Sequence, residues 1–197
     1  MGIQNPHNRK GKRVDKDAYE TPTWVTEALF KFIKPPLGSR ILEPACGTGL
    51  MVRALRKLGF KNIIGRDIAA HKNQDFLLYK GKADHVITNP PYKDELPERF
   101  ARHALDNIVP KGGFVALLVT THFLGSAGRY EFFNETHKPF VIIYLSDRIR
   151  FLVNGEPISG QAYDHCWVVW KKGFKGETVN YWYCKEDKAP RRKLWRV

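Results

Sequence analysis

Arg40-Ile41-Leu42-Glu43-Pro44-Ala45-Cys46-Gly47-Thr48-Gly49-Leu50 carries the chain from a short apolar strand, through a tight turn, into a helix. The helix is predicted over residues 50–58, with Leu50, Val52, Leu55 and Leu58 as its apolar positions. Gly47 and Gly49 have no Cβ, so the backbone can bend sharply there and a ligand can lie directly on it. A lone G-x-G marks many strand-to-helix turns. It gains meaning from Asp67, which ends the next apolar segment, Asn62-Ile63-Ile64-Gly65-Arg66-Asp67. In dinucleotide folds an acid at this position binds ribose hydroxyls. Val52 stands where a dinucleotide fingerprint has its third glycine, which favours a ligand without a pyrophosphate.

A second motif, Asn89-Pro90-Pro91-Tyr92, closes the apolar run 85–88, forty-two residues after Gly47. Its chemistry suits a planar nitrogen. The exocyclic amine of adenine, or a glutamine side-chain amide, has a delocalised lone pair and must move towards tetrahedral geometry before it can attack a methyl group. Two acceptors aimed at its N–H bonds, the Asn89 side-chain oxygen and the Pro90 carbonyl, favour that geometry as charge develops. Consecutive prolines make a stiff corner that can hold a carbonyl pointing into a pocket. Tyr92 offers an aromatic face for a flat substrate group. Asn-Pro is also a common strand-ending turn, so it is the pairing with the glycine loop that points to chemistry.

Together these motifs resemble the class I S-adenosylmethionine-dependent methyltransferases, specifically the N6-adenine DNA methyltransferases with an N-P-P-Y motif, of the small type common in phages and prophages. Tyr19-Glu20-Thr21-Pro22 is similar to that family's Y-x-T-P element, and Asp75-Phe76-Leu77 to its acidic-plus-apolar motif at the donor's adenine. The stretch 123–133 with Arg129, then Asp147-Arg148-Ile149-Arg150-Phe151 and Trp167-Val168-Val169-Trp170, extends the likeness over roughly residues 17–172. The resemblance implies an α/β, Rossmann-like fold: a mostly parallel seven-stranded sheet with helices on both faces and a C-terminal antiparallel hairpin. It implies S-adenosyl-L-methionine as cofactor, S-adenosyl-L-homocysteine as product, and no metal. Donor contacts would come from Tyr19, Thr21, Pro22, Glu43, Pro44, Ala45, Cys46, Gly47, Gly49, Asp67, Ile68, Asp75 and Phe76. Substrate chemistry would fall to Asn89, Pro90, Pro91 and Tyr92. Read as residues alone, Asp67 and Asp75 also suit a strand end and a helix cap, Phe76 suits the core, and Cys46 suits a small packing position.

The chain has 197 residues, 43% of them hydrophobic, enough for one well-buried core. Cys46, Cys166 and Cys184 form no metal-binding spacing, and an odd count argues against a disulfide framework. Residues 1–16 have no apolar segment of signal-peptide type, and no run reaches membrane-spanning length, so a cytoplasmic location with no membrane partner is expected. Net charge is +13. Residues 1–17 hold five basic and two acidic side chains, and residues 185–197 hold six and two. Basic arms (1–16 and 185–197) around a catalytic domain (17–184) suit a phosphate backbone, with DNA placed ahead of RNA. Charged tails can equally be plain solvated segments.

The remaining elements are predicted as a helix over 96–108, a strand over 114–120, a helix over 127–134, and strands over 139–145, 165–170 and 178–183. Trp167 and Trp170 are expected to divide between the core and the surface of their strand, and Trp195 is a candidate for stacking on a base. The connection 147–164, with Asn154-Gly155, Pro157 and Ser159-Gly160, reads as turn-rich and mobile. No inserted recognition domain is legible, which predicts relaxed or short sequence specificity. Competing readings are an RNA N6-adenine methyltransferase, a protein-glutamine methyltransferase, and a nucleic-acid-binding module on an inactive fold.

Overall fold

Short apolar strands alternate with amphipathic helices through most of the chain, and the computed structural model, which describes residues 19–158 and 163–185, folds them into one twisted sheet. The helices are α1 (Thr23–Leu29), α2 (Leu50–Lys57) and α3 (Leu96–His103). The first strands are β1 (Ile41–Glu43), β2 (Ile63–Gly65), β3 (His85–Thr88), β4 (Phe114–Thr120) and β5 (Val141–Leu145). A two-stranded excursion, β6 (Leu152–Val153) and β7 (Glu156–Pro157), precedes β8 (His165–Lys171) and β9 (Val179–Tyr183). The seven-stranded sheet runs β2-β1-β3-β4-β8-β5-β9. β8 is antiparallel to both neighbours, while β2-β1-β3-β4 are parallel and β9 runs parallel to β5. The fold expected from the sequence is present, with β9 as its outer edge.

Alternation along the central strands sorts the core into two layers. Ala116, Leu118, Trp167, Val169 and Ile143 pack with α1 and α2 residues such as Val25, Leu29, Met51 and Leu55. Val115, Leu117, Val119, Val168 and Trp170 pack on the other face with Phe100, Ala101, Ile108 and Phe132. Both tryptophans are therefore interior, at 0% and 1% exposure, which corrects the expected core-and-surface division. The reason is that β8 is a central strand covered on both faces: Phe132 and Phe133 lie against Trp170, and its indole N–H donates to the His137 carbonyl. Trp167 donates to the Val25 carbonyl at 2.9 Å and so ties α1 to the sheet. Trp167→Ala is expected to cost about 3–5 kcal/mol of stability, read as a lowered urea midpoint with little change in slope.

The helix expected over 96–108 is α3 continued by a π-type turn, Ala104–Ile108, whereas the helix expected at 127–134 is replaced by a tighter 3-10 turn, Ala127–Arg129, followed by a π-type turn, Phe132–Thr136. The connection expected to be mobile contains an ordered hairpin. Asn154 (φ 53°) and Gly155 (φ 80°) both take the positive φ of a primed two-residue turn between β6 and β7. The basic end segments, Trp195 and Ser159-Gly160 lie outside the described residues, apart from Lys185. Among the described residues no helix is long and apolar enough to cross a membrane.

Candidate active site

The chain leaves β1 towards β2 on one side and returns through β3 on the other, so the sheet's topological switch lies between β1 and β3. Ligands of open α/β sheets bind outside the carboxyl ends of strands at such a point. Both motifs lie there. The glycine loop follows Glu43 at the end of β1, and Asn89 follows Thr88 at the end of β3. The Thr88 hydroxyl donates to Glu43 Oε1 at 2.5 Å and links the two strand ends.

A cleft of about 690 Å³ opens above this junction. It is lined by Glu43 at the end of β1 and Pro44, Ala45, Cys46 and Gly47 after it, by Tyr19 and Thr21, by Asp67, Ile68, Asp75 and Phe76 after β2, and by Asn89 and Pro91 after β3. Gly47 (φ 48°) holds a backbone form that side chains resist, and a Cβ built there meets nothing within 4 Å, so the loop presents bare backbone to open space. Its N–H donates to Asp67 Oδ2 at 2.7 Å, and the N–H of Ala69 donates to Oδ1 at 2.8 Å. Asp67 thus fixes the loop's height across twenty residues of sequence. Gly49 (φ 83°) turns the chain into α2 from a left-handed cap position.

Glu43 is 1% exposed, and burial pushes its carboxyl up to about 8, against the lowering effect of hydrogen bonds from Thr88 and the Ala45 N–H. At neutral pH it is mostly protonated. Asp75 caps a 3-10 turn by accepting from the Leu77 N–H at 2.9 Å, as its helix-cap reading required, while still lining the cleft. Phe76 is likewise both things at once: 2% exposed, packed on Phe100 with centroids 4.8 Å apart, and on the cleft wall.

At the N-P-P-Y corner, the Tyr92 hydroxyl donates to Asn89 Oδ1 at 2.7 Å and lies 3.3 Å from the Leu118 carbonyl. Tyr92 keeps 39% of its surface exposed. Beyond Lys93, Asp94 (φ 51°) and Glu95 (φ 58°) are two successive non-glycine residues in the left-handed region, a local strain of the kind that clusters at functional sites.

Of the residues expected from the sequence, Pro22, Gly49, Pro90 and Tyr92 do not line the cleft. Pro22 caps α1, Gly49 caps α2, Pro90 is buried beneath the corner, and Tyr92 lies beyond Asn89. The structure adds Leu96, Arg99 and Phe100, one face of α3, whose i, i+3, i+4 spacing was readable in the sequence. It also adds Glu20. The backbone of Glu20 pairs with Leu152, its Oε1 accepts from the Thr48 hydroxyl at 2.7 Å, and its Oε2 accepts from the Gly155 N–H at 3.2 Å. One side chain thereby joins the N-terminal segment, the glycine loop and the β6–β7 hairpin, a long-range link with no local signal.

No family model matches the chain. In sequence it is 32% identical to the modification methylase CviBIII of Paramecium bursaria Chlorella virus NC1A, over 124 positions covering 52% of this chain and 32% of that one. It is 34% identical to the type II methyltransferase M.TthHB8I of Thermus thermophilus, over 37% of this chain and 20% of that one. The chain thus spans about a third or less of the length of the curated relatives it matches. In structure it superposes on a Listeria monocytogenes protein, provisionally assigned as a class I S-adenosylmethionine-dependent methyltransferase, with a TM-score of 0.59, 19% identity, and coverage of 87% of this chain and 68% of that one. The M protein of the type I restriction enzyme EcoKI gives a TM-score of 0.53, 16% identity, and coverage of 83% and 48%. The fold is that of the class I methyltransferases, and the sequence likeness is to type II DNA methyltransferases.

Proposed function

We propose that the protein is an S-adenosylmethionine-dependent methyltransferase acting on the N6 amine of adenine in DNA, with relaxed or short sequence specificity. The observation that carries this reading is the meeting of the glycine loop with Asn89 and Pro91 of the N-P-P-Y corner in one cleft at the switch point of the sheet. A bare glycine backbone, an acid after β2 and a buried carboxyl that can ionise beside positive charge suit a ribose-bearing cation. When bound, the donor supplies an electrophilic methyl group on its sulfonium.

The chain's own residues do the rest. Asp67 faces ribose hydroxyls while holding Gly47 in place. Asn89 Oδ1 and the Pro90 carbonyl accept from the target amine and draw it out of conjugation, and the rigid corner aligns it for in-line attack. If the target lies in a duplex, the base leaves the stack to reach the corner. Glu43, protonated at neutral pH, ionises more readily beside a bound cation, so donor binding releases a proton. The carboxylate form favours the cation, and that form accumulates as pH rises through about 8. Donor affinity measured by calorimetry is therefore expected to increase from pH 7 to 8.5, and Glu43→Gln to flatten that slope.

A net charge of +13 supports a polyanionic partner. Short specificity is supported by the compactness of the described chain between its motifs: α2, β2, two 3-10 turns and β3 are all that separate the glycine loop from Asn89. Label transfer from isotopic donor to duplex DNA, single-stranded DNA and total RNA in parallel tests the reading. Incorporation into DNA is expected, and incorporation into RNA or protein alone would reassign the substrate. Mapping on a panel of single-site duplexes is expected to show methylation across many sequence contexts rather than in one long motif.

A further inference from the structure

His165 stands first in β8, opposite Thr120, at the same edge of the sheet as the N-P-P-Y corner. It is 5% exposed. Its ring lies edge-on to Phe151 with centroids 5.1 Å apart, and at 6.2 Å from the ring of Tyr92. Among the described residues its Nδ1 has no hydrogen-bond partner, although the atom is shut off from solvent. Burial lowers the imidazole to about 4, against the raising effects of a backbone hydrogen bond to Tyr163 and of Asp164, so the ring is neutral at working pH. A neutral imidazole carries one acceptor nitrogen, and the buried, unpartnered Nδ1 is placed to serve as it.

An empty buried acceptor costs stability, and a partner that fills it in another state accounts for its presence. The neighbouring Tyr92 ring carries a donor, its hydroxyl, which in this structure sits on Asn89 Oδ1. Resting on the N-P-P-Y reading above, we infer that the Tyr92 hydroxyl has two seats, Asn89 Oδ1 and His165 Nδ1, and that the target amine takes the first when the hydroxyl moves to the second. His165 is then a positioning residue, acting through Tyr92. The strained pair Asp94 and Glu95, separated from Tyr92 by Lys93 alone, supplies backbone that can give when the ring moves.

The test is a double-mutant cycle on the full chain, with labelled donor and unmethylated duplex DNA, and with Asn89→Ala as the control for the site itself. His165→Phe keeps an aromatic ring and deletes the acceptor. It is expected to lower kcat about tenfold with donor affinity unchanged, and to add no further loss in a Tyr92→Phe background. Its unfolding midpoint should match or exceed that of the parent, because an unpaired nitrogen has been removed from the interior. His165→Asn, which keeps an acceptor near the same place, should retain more activity than His165→Phe and decides the matter if the Phe variant does not fold. An unchanged kcat in His165→Phe, or losses that multiply with Tyr92→Phe, would overturn the inference while an inactive Asn89→Ala left the site reading standing. Absence of turnover by the parent protein would overturn both.

Discussion

Asn89→Ala is expected to reduce kcat by about 10²–10³-fold while leaving donor affinity within about twofold. Asn89 lines the cleft, and its Oδ1 accepts from the Tyr92 hydroxyl in this structure. Its interaction with the target amine is made as the nitrogen pyramidalises, so its removal weakens the transition state more than the donor complex. Single-turnover rates and donor titration, run on the same preparation, separate the two effects. Equal losses in both would mean that Asn89 holds the cleft together rather than acting on the substrate.

Asp67→Ala should have the opposite signature. The carboxylate accepts charge-assisted bonds from Gly47 and Ala69, at 2.7 and 2.8 Å, and faces the cleft. Bonds to charged groups contribute about 1.5–3 kcal/mol each, and tenfold in affinity is about 1.4 kcal/mol, so donor affinity should fall about 10–100-fold. The glycine loop would lose its anchor, and the melting temperature should fall by a few degrees, on the order of 1–2 kcal/mol. At saturating donor, kcat should recover to near the parent value. Asp67→Asn, which keeps one acceptor without the charge, should fall between. A melting-temperature loss with unchanged donor affinity would mark Asp67 as a scaffold acid only.

Much of this arrangement is legible in the order of residues because the signals are local. Glycines with positive φ after an apolar triplet, and prolines after an apolar quartet, state their geometry within a few residues. Hence Gly47, Asp67, Asn89 and the strands that carry them fall where the sequence puts them. What stayed hidden depends on partners far along the chain. One of Trp167 and Trp170 reads as a surface position until Phe132 and Phe133 are seen to cover Trp170. Glu20 gains its role from Thr48 and Gly155, the latter 135 residues away. His165 is unremarked in sequence, and only the packing of Phe151 and Tyr92 around it makes a lone imidazole informative. Asp75 and Phe76 show that the structural and functional readings need not exclude each other, since each stabilises the fold and lines the cleft.

The central claim is that the cleft delivers a methyl group to one particular nitrogen. Its most direct test is digestion of duplex DNA after reaction with isotopically labelled S-adenosylmethionine, followed by mass spectrometry of the nucleosides. Labelled N6-methyldeoxyadenosine, absent in the Asn89→Ala reaction, is the predicted result. Label on cytosine, or no labelled deoxynucleoside despite intact donor binding, would contradict it.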